Sequence, residues 1–176
     1  FIRLSGCTRA CSFCDTKYHI KGTDYTIEDI VKIIKDSKKS IVVWTGGEPL
    51  LQLEEIIQVR EKTGKTPQFH LETNGDLYET IVGKYFDYVC ISPKTFKSAE
   101  RARRYAYGNY DIKVVTDLDL NKELIPFATM LMPLSVDYDG PIDKELKKKV
   151  WKVCEEQNIK YASRLHVDVW GKKKGI

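Results

Sequence analysis

The sequence predicts a parallel α/β fold, one domain in which strands alternate with helices. Three observations carry that expectation. Apolar runs of strand length recur through the 176 residues, with turn-forming residues between them. Most of the gaps carry helical periodicity. The residues able to do chemistry fall just after the strands, at the carboxyl ends where parallel α/β architectures build their sites.

The first strand is FIRL at 1–4. The chain opens on Phe1, already inside an apolar run, so a preceding segment is expected. A helix follows in TIEDIVKIIKDSKK, where Ile27, Ile30, Val31 and Ile34 share a face and Thr26 can cap with Asp29. Next comes the strand IVVWT (41–45), then the helix PLLQLEEIIQVREKTG, with Leu53, Ile56 and Ile57 inward and Gly64 closing it. QFHLE (68–72) is the third strand and DLYETIVGKY a further helical stretch. YVCIS (88–92), DIKVV (111–115) and ATMLMPL (128–134) are strands four to six. The helix DKELKKKVWKVCEEQN precedes a last strand, RLHVDVW at 164–170. Its alternation sets Arg164, His166, Asp168 and Trp170 on one face and Leu165, Val167 and Val169 on the other. Parallel strands need crossovers, which cover both faces of a sheet or the outside of a barrel.

Composition narrows the function. With 42% apolar and 11% aromatic residues the chain can build a sizeable core. No stretch approaches the roughly 18 consecutive apolar residues of a membrane span, and nothing resembles a signal peptide, so a soluble cytoplasmic protein is expected. The excess of 29 Lys+Arg over 25 Asp+Glu sits largely in KELKKKVWK and GKKKGI, which read as solvated surface; direct contact with nucleic acid is not expected. Five cysteines are an odd number for a disulfide framework, and three crowd into one loop, which favours metal binding.

That loop, CTRACSFC, spaces Cys7, Cys11 and Cys14 as CxxxCxxC. Thiolates at this spacing select an iron–sulfur cluster or zinc. A four-iron cluster on three cysteines leaves one iron for a substrate or cofactor; alternatively His19 completes a structural Cys₃His zinc site. Cys90, within a strand, and Cys154, on a helix, read as small buried apolar residues. His70 and His19 read as structural.

Three further strings stand at strand ends. In TGGEP two glycines permit a tight turn and close backbone approach, with the Glu48 carboxylate nearby. ETNG is either a turn, with Thr73 capping a following helix, or a ligand contact. SPK at 92–94 is either a strand exit stopped by Pro93 or a place where Ser92 and Lys94 meet a polar cofactor.

CxxxCxxC with Phe13 before its last cysteine, together with TGGEP, resembles the radical S-adenosylmethionine superfamily. The strings FIRLSGC, CSFCDT, TGGEPLLQ, LETNG, ISPK and LHVDVWG together resemble one family within it, 7-carboxy-7-deazaguanine synthase of the archaeal kind. The resemblance runs across nearly the whole chain, and CDT is its most specific piece.

This resemblance implies an incomplete parallel (βα)6-type barrel with a C-terminal extra strand, and a homodimer. It implies that Cys7, Cys11 and Cys14 hold a 4Fe-4S cluster whose fourth iron binds the methionine moiety of S-adenosylmethionine, and that the cofactor meets Phe13, Cys14, Asp15, Gly47, Glu48, Thr73, Ser92, Pro93 and Lys94. The reaction implied is conversion of 6-carboxy-5,6,7,8-tetrahydropterin to 7-carboxy-7-deazaguanine and ammonia, a ring contraction begun by a 5′-deoxyadenosyl radical, on the way to queuosine or archaeosine. By position Arg3, Thr45 and His166 match substrate contacts and Thr16 matches a Mg²⁺ ligand; a flavodoxin- or ferredoxin-like electron donor is implied as well. Two departures stand out: a glutamine-glycine-glutamate segment usual before the first strand is missing, and Arg164 stands where a glutamine commonly precedes Leu-His. A glycyl-radical activase shares the cluster spacing and TGGEP but has no reason to keep CDT. A zinc-stabilised binding module is the non-enzymatic alternative.

Overall fold

The computed structural model describes residues 1–14, 20–137, 140–171 and 173. Seven strands form one sheet: β1 (Ile2–Leu4), β2 (Ile41–Gly46), β3 (Gln68–Thr73), β4 (Tyr88–Ile91), β5 (Tyr110–Thr116), β6 (Met130–Pro133) and β7 (Lys160–Tyr161). Their spatial order is their chain order, and every pairing is parallel. Among the described residues β1 and β7 do not pair, so the sheet does not close.

Sequential order decides the architecture. Each crossover steps the same way, and right-handed crossovers then lay the crossover helices on one side of the sheet. The helices are α1 (Ile27–Ser37), α2 (Leu53–Thr63), α3 (Phe96–Tyr105), α4 (Pro141–Gln157) and α5 (Leu165–Trp170). Val31 and Ile34 of α1 and Ile56 and Val59 of α2 pack against Val42, Trp44, Phe69, Leu71, Val89 and Ile91, the outward face of β2 to β4. A second core joins Val114 and Leu131 of the later strands to Leu146, Val150 and Cys154 of α4. The opposite, concave face carries Arg3, Thr45, His70, Glu72, Cys90, Asp111 and Lys113, a polar lining inside a partial barrel.

Local chemistry accounts for the elements. Thr26 caps α1 through its side chain while Asp29 reaches back to the Thr26 N–H, the reciprocal pair that the sequence predicts. Gly64 ends α2 with φ of 73°, in the left-handed region. A Thr95 and Ser98 pair caps α3.

Three sequence expectations are corrected. RLHVDVW is not a strand: 165–170 is helix α5, and the extra strand beside β6 is Lys160–Tyr161. Alternation misled here because, of its three apolar residues, Val167 is buried whereas Leu165 and Val169 are 67% and 57% exposed. The arrangement of Arg164, His166, Asp168 and Trp170 along one strand face falls with it. DLYETIVGKY is not a helix but a series of turns ending in a short 3-10 segment, Val82–Lys84. Buried Tyr78 and Val82 give it helical spacing, while its bonds span three residues, from Val82 N–H to Glu79 and from Lys84 N–H to Ile81. Conversely, FKSAERARRY forms α3, which the sequence reading passed over.

Candidate active site

The first four strands deliver four loops to one edge. After β1 comes the cysteine loop, after β2 the turn Gly46–Gly47–Glu48, after β3 Asn74–Gly75–Asp76, and after β4 Ser92–Pro93–Lys94. Parallel strands present all four carboxyl ends on the same side.

The glycine turn lies directly on the cysteine loop. Gly47 N–H donates to Leu4 O at 3.0 Å and Glu48 N–H to Gly6 O at 2.8 Å. A β-carbon on Gly46, whose φ is 137°, would stand 2.2 Å from Leu4 O, and one on Gly47 1.8 Å from Gly6 O. Only glycine permits that approach.

Glu48 is fully buried. Its carboxylate accepts from Thr73 Oγ1 at 2.7 Å, Leu50 N–H at 3.1 Å and Asn74 N–H at 2.7 Å. Burial pushes its carboxyl above the usual range, while the three hydrogen bonds pull the other way. The side chain thus fastens the second loop to the third. Thr73 is buried in the same network and caps no helix; its Oγ1 accepts from Gly75 N–H at 3.1 Å.

The cysteine loop is bound in turn to the third. Asn74 Nδ2 donates to Thr8 Oγ1 at 2.9 Å and lies 4.0 Å from Cys7 Sγ. Arg9 forms a two-pronged pair with Asp76, with Nε and Nη2 each at 2.6 Å from a carboxylate oxygen. Cys7, Cys11 and Cys14 are half-buried, and Cys14 N–H closes a turn onto Cys11 O at 3.1 Å. None of the three is in a disulfide. Burial raises the Cys11 thiol; Lys94 and Arg9 act to lower it, and the neighbouring Cys14 and Cys7 add to the rise. Among the described residues no three His, Cys, Asp or Glu side chains converge on a single ion. Three free thiols on one loop, with Arg9 and Lys94 acting on Cys11, suit a polynuclear anionic centre. They would hold a 4Fe-4S cluster through three of its corners.

The fourth loop reaches the same place. Lys94 Nζ donates to Ser92 Oγ at 2.8 Å and lies 5.8 Å from the Phe13 ring centre, within cation–π range. Pro93 is buried, and Ser92 N–H ties to Thr73 O at 2.7 Å. Phe13, Cys14, Gly47, Ser92, Pro93 and Lys94 therefore stand at one edge of the sheet. Asp15, Thr16 and His19 lie outside the described residues, as does the side chain of His166.

Beneath these loops, on the concave face, Arg3 stands opposite Thr45 in register. Thr45 Oγ1 donates to Glu72 Oε2 at 3.0 Å, and Lys113 Nζ reaches Glu72 Oε1 at 3.3 Å. Burial acts to lower the Lys113 ammonium, but Cys90 and Glu72 outweigh it and hold the lysine above its ordinary range. The sequence reading missed Glu72 and Lys113, whose signal was an ionisable residue inside a strand. It also missed Arg9, Asn74 and Asp76. His70, read as structural, sets its ring edge against Tyr88 with centroids 5.3 Å apart. Cys90 and Cys154 are buried as expected.

Comparison with known proteins gives this site its context. The family model described as the radical SAM superfamily matches residues 1–134. The chain is 28% identical to a 7-carboxy-7-deazaguanine synthase of Pyrobaculum aerophilum, over 99% of this chain and 87% of that protein. It is 34% identical to a synthase of the same name from Synechocystis sp., over 68% of this chain and 56% of that one, so it spans little more than half the length of this second relative. Among solved structures, a mandelate racemase/muconate lactonizing enzyme-like protein from Rubrobacter xylanophilus superposes with a TM-score of 0.52 at 15% identity, covering 80% of this chain and 44% of that chain. That likeness concerns the fold alone and agrees with a partial (βα) barrel.

Proposed function

The chain belongs to the radical SAM superfamily, and from that premise we propose that it is a 7-carboxy-7-deazaguanine synthase. It would convert 6-carboxy-5,6,7,8-tetrahydropterin to 7-carboxy-7-deazaguanine with loss of ammonia, in the supply of deazapurines for tRNA. Membership of the superfamily implies a 4Fe-4S cluster and S-adenosylmethionine. The observation that carries the reading is the convergence of the cysteine loop, the Gly46–Gly47 turn and Ser92–Lys94 at one edge above a polar concave face.

When bound, the cluster and S-adenosylmethionine supply a one-electron cleavage of the sulfonium, the hard step of the chemistry. The chain's part is to bind, orient and exclude water. The carbonyls of the Gly46–Gly47 turn offer acceptors to the cofactor's ammonium, and Glu48 holds that turn rigid. Lys94 offers a single cation and Ser92 a hydroxyl to the cofactor's polar edges. Arg3 offers a fork to the substrate carboxylate, with Thr45 opposite it in register. Mg²⁺ at Thr16, a contact from His166, a flavodoxin- or ferredoxin-like donor and a homodimeric state belong to the same proposal on resemblance. Among the described residues no helix is long and apolar enough to cross a membrane.

The test is anaerobic incubation of reconstituted protein with carboxytetrahydropterin, S-adenosylmethionine and a reductant, followed by mass analysis. A deazapurine product supports the proposal. Colourless protein carrying zinc and lacking iron and acid-labile sulfide removes it.

A further inference from the structure

We infer that Asp76 is a positioning residue for the three-cysteine loop, holding the segment between Cys7 and Cys11 in its cluster-binding shape through Arg9 and Thr8. The inference rests on the cluster reading above and adds a residue that this reading does not use.

The geometry is specific. Asp76 Oδ2 accepts from Arg9 Nε at 2.6 Å and from Thr8 Oγ1 at 3.1 Å, while Oδ1 accepts from Arg9 Nη2 at 2.6 Å. Two of the three residues between the first two cysteines, Thr8 and Arg9, thus end on one carboxylate. That carboxylate is itself held in place, because Asp76 N–H donates to Asn74 Oδ1 at 2.9 Å and Asn74 Nδ2 returns to Thr8 at 2.9 Å. Arg9 Nη2 also reaches Thr95 Oγ1 at 3.2 Å, the residue that caps α3. One side chain of the cysteine loop is therefore tied both to the exit of β3 and to the helix that follows β4.

An ordinary surface ion pair contributes little, since two long side chains must be ordered in water. This pair differs: it is two-pronged, its side chains are only 26% and 19% exposed, and it belongs to a network. Three thiols must be brought together without mutual attraction, and such a loop pays its ordering entropy in advance when its backbone is already pinned. Arg9 is a cation near the thiols whose position is set by a carboxylate on another loop, so Asp76 controls where that charge sits relative to Cys7 and Cys11.

The test compares wild type with Asp76→Asn and Arg9→Lys. Lysine keeps the charge and removes the fork. Two measurements are taken: hydrogen exchange of residues 7–14 in the metal-free chain, and release of iron from the anaerobically reconstituted protein to a chelator. Faster exchange confined to that loop is expected, with iron release accelerated about 10- to 100-fold, the scale for losing a support of metal ligands. The spectrum of the reduced cluster should shift as well. Wild-type exchange and release in both variants would overturn the inference and leave the superfamily reading intact. A wild-type chain that takes up no iron and sulfide would instead sink the cluster reading. Should Asp76→Asn unfold as a whole, Arg9→Lys decides by the same two measurements.

Discussion

Gly47 stands so close to Gly6 that a β-carbon on it would lie 1.8 Å from the Gly6 carbonyl oxygen. The neighbour is main chain, so no rotamer relieves the clash. Gly47→Ala must push the second-strand turn off the cysteine loop. The variant is expected to keep its circular dichroism spectrum and lose about 100-fold in rate, the scale of an ångström's misplacement. Formation of the deazapurine product measures it, and wild-type turnover would refute it.

Glu48→Gln tests the buried staple. One amide oxygen cannot replace two carboxylate oxygens that accept from Thr73, Leu50 and Asn74, and the new NH₂ group meets a donor whichever way it turns. A loss of about 1–3 kcal/mol in unfolding free energy is expected, read from urea titration.

The five cysteines should separate into two groups. Cys7→Ala, Cys11→Ala and Cys14→Ala should each abolish cleavage of S-adenosylmethionine and lower bound iron. Cys90→Ala and Cys154→Ala should retain both, since these thiols are buried in a strand and a helix away from the loop. Iron and sulfide assays on all five decide it, and equal loss throughout would mean that the cluster is held elsewhere.

Arg3→Ala should weaken binding of the pterin carboxylate. Loss of one charge-assisted pair is worth about 1.5–3 kcal/mol, or roughly 10- to 150-fold in dissociation constant. Calorimetry against carboxytetrahydropterin measures it, with cofactor affinity as the internal control.

Asp111 sets an acid limit on stability. Burial alone would raise its carboxyl, but hydrogen bonds from Thr129, Lys160 and Tyr88 outweigh it and leave the group below its ordinary value. A folded pKa below the unfolded one contributes stability that is complete above about pH 4 and lost as pH falls through the folded value. The gap in urea midpoint between wild type and Asp111→Asn should therefore be wide at pH 6 and narrow below about pH 4.

Six strands, three helices and the loops at their carboxyl ends were legible because each rests on local pattern. Examples are the period of Ile27, Ile30, Val31 and Ile34, the reciprocal cap of Thr26, and two adjacent glycines after a strand. Where the pattern is ambiguous the reading failed. LHVDVW alternates, yet the place beside β6 is taken by Lys160–Tyr161, and a helix resting on Val167 uses the residues differently. The helix FKSAERARRY was missed because its buried face is only Ser98, Ala99 and Ala102, too small to stand out among charges. Of the site, the cysteines and glycines were readable by spacing. The pairs Arg9 with Asp76 and Glu72 with Lys113 join residues 67 and 41 positions apart, and only the fold brings such partners together.

Because each strand pairs with the one made before it, the two cores also follow one another along the chain. The first is assembled from residues between Val31 and Ile112, the second from residues between Ala99 and Cys154. A ribosome releasing this polypeptide therefore delivers all four loops, from Cys7 to Lys94, with the first core nearly whole, while the last two strands and α4 have yet to emerge. The nascent chain can shape its cysteine pocket before its own synthesis is finished.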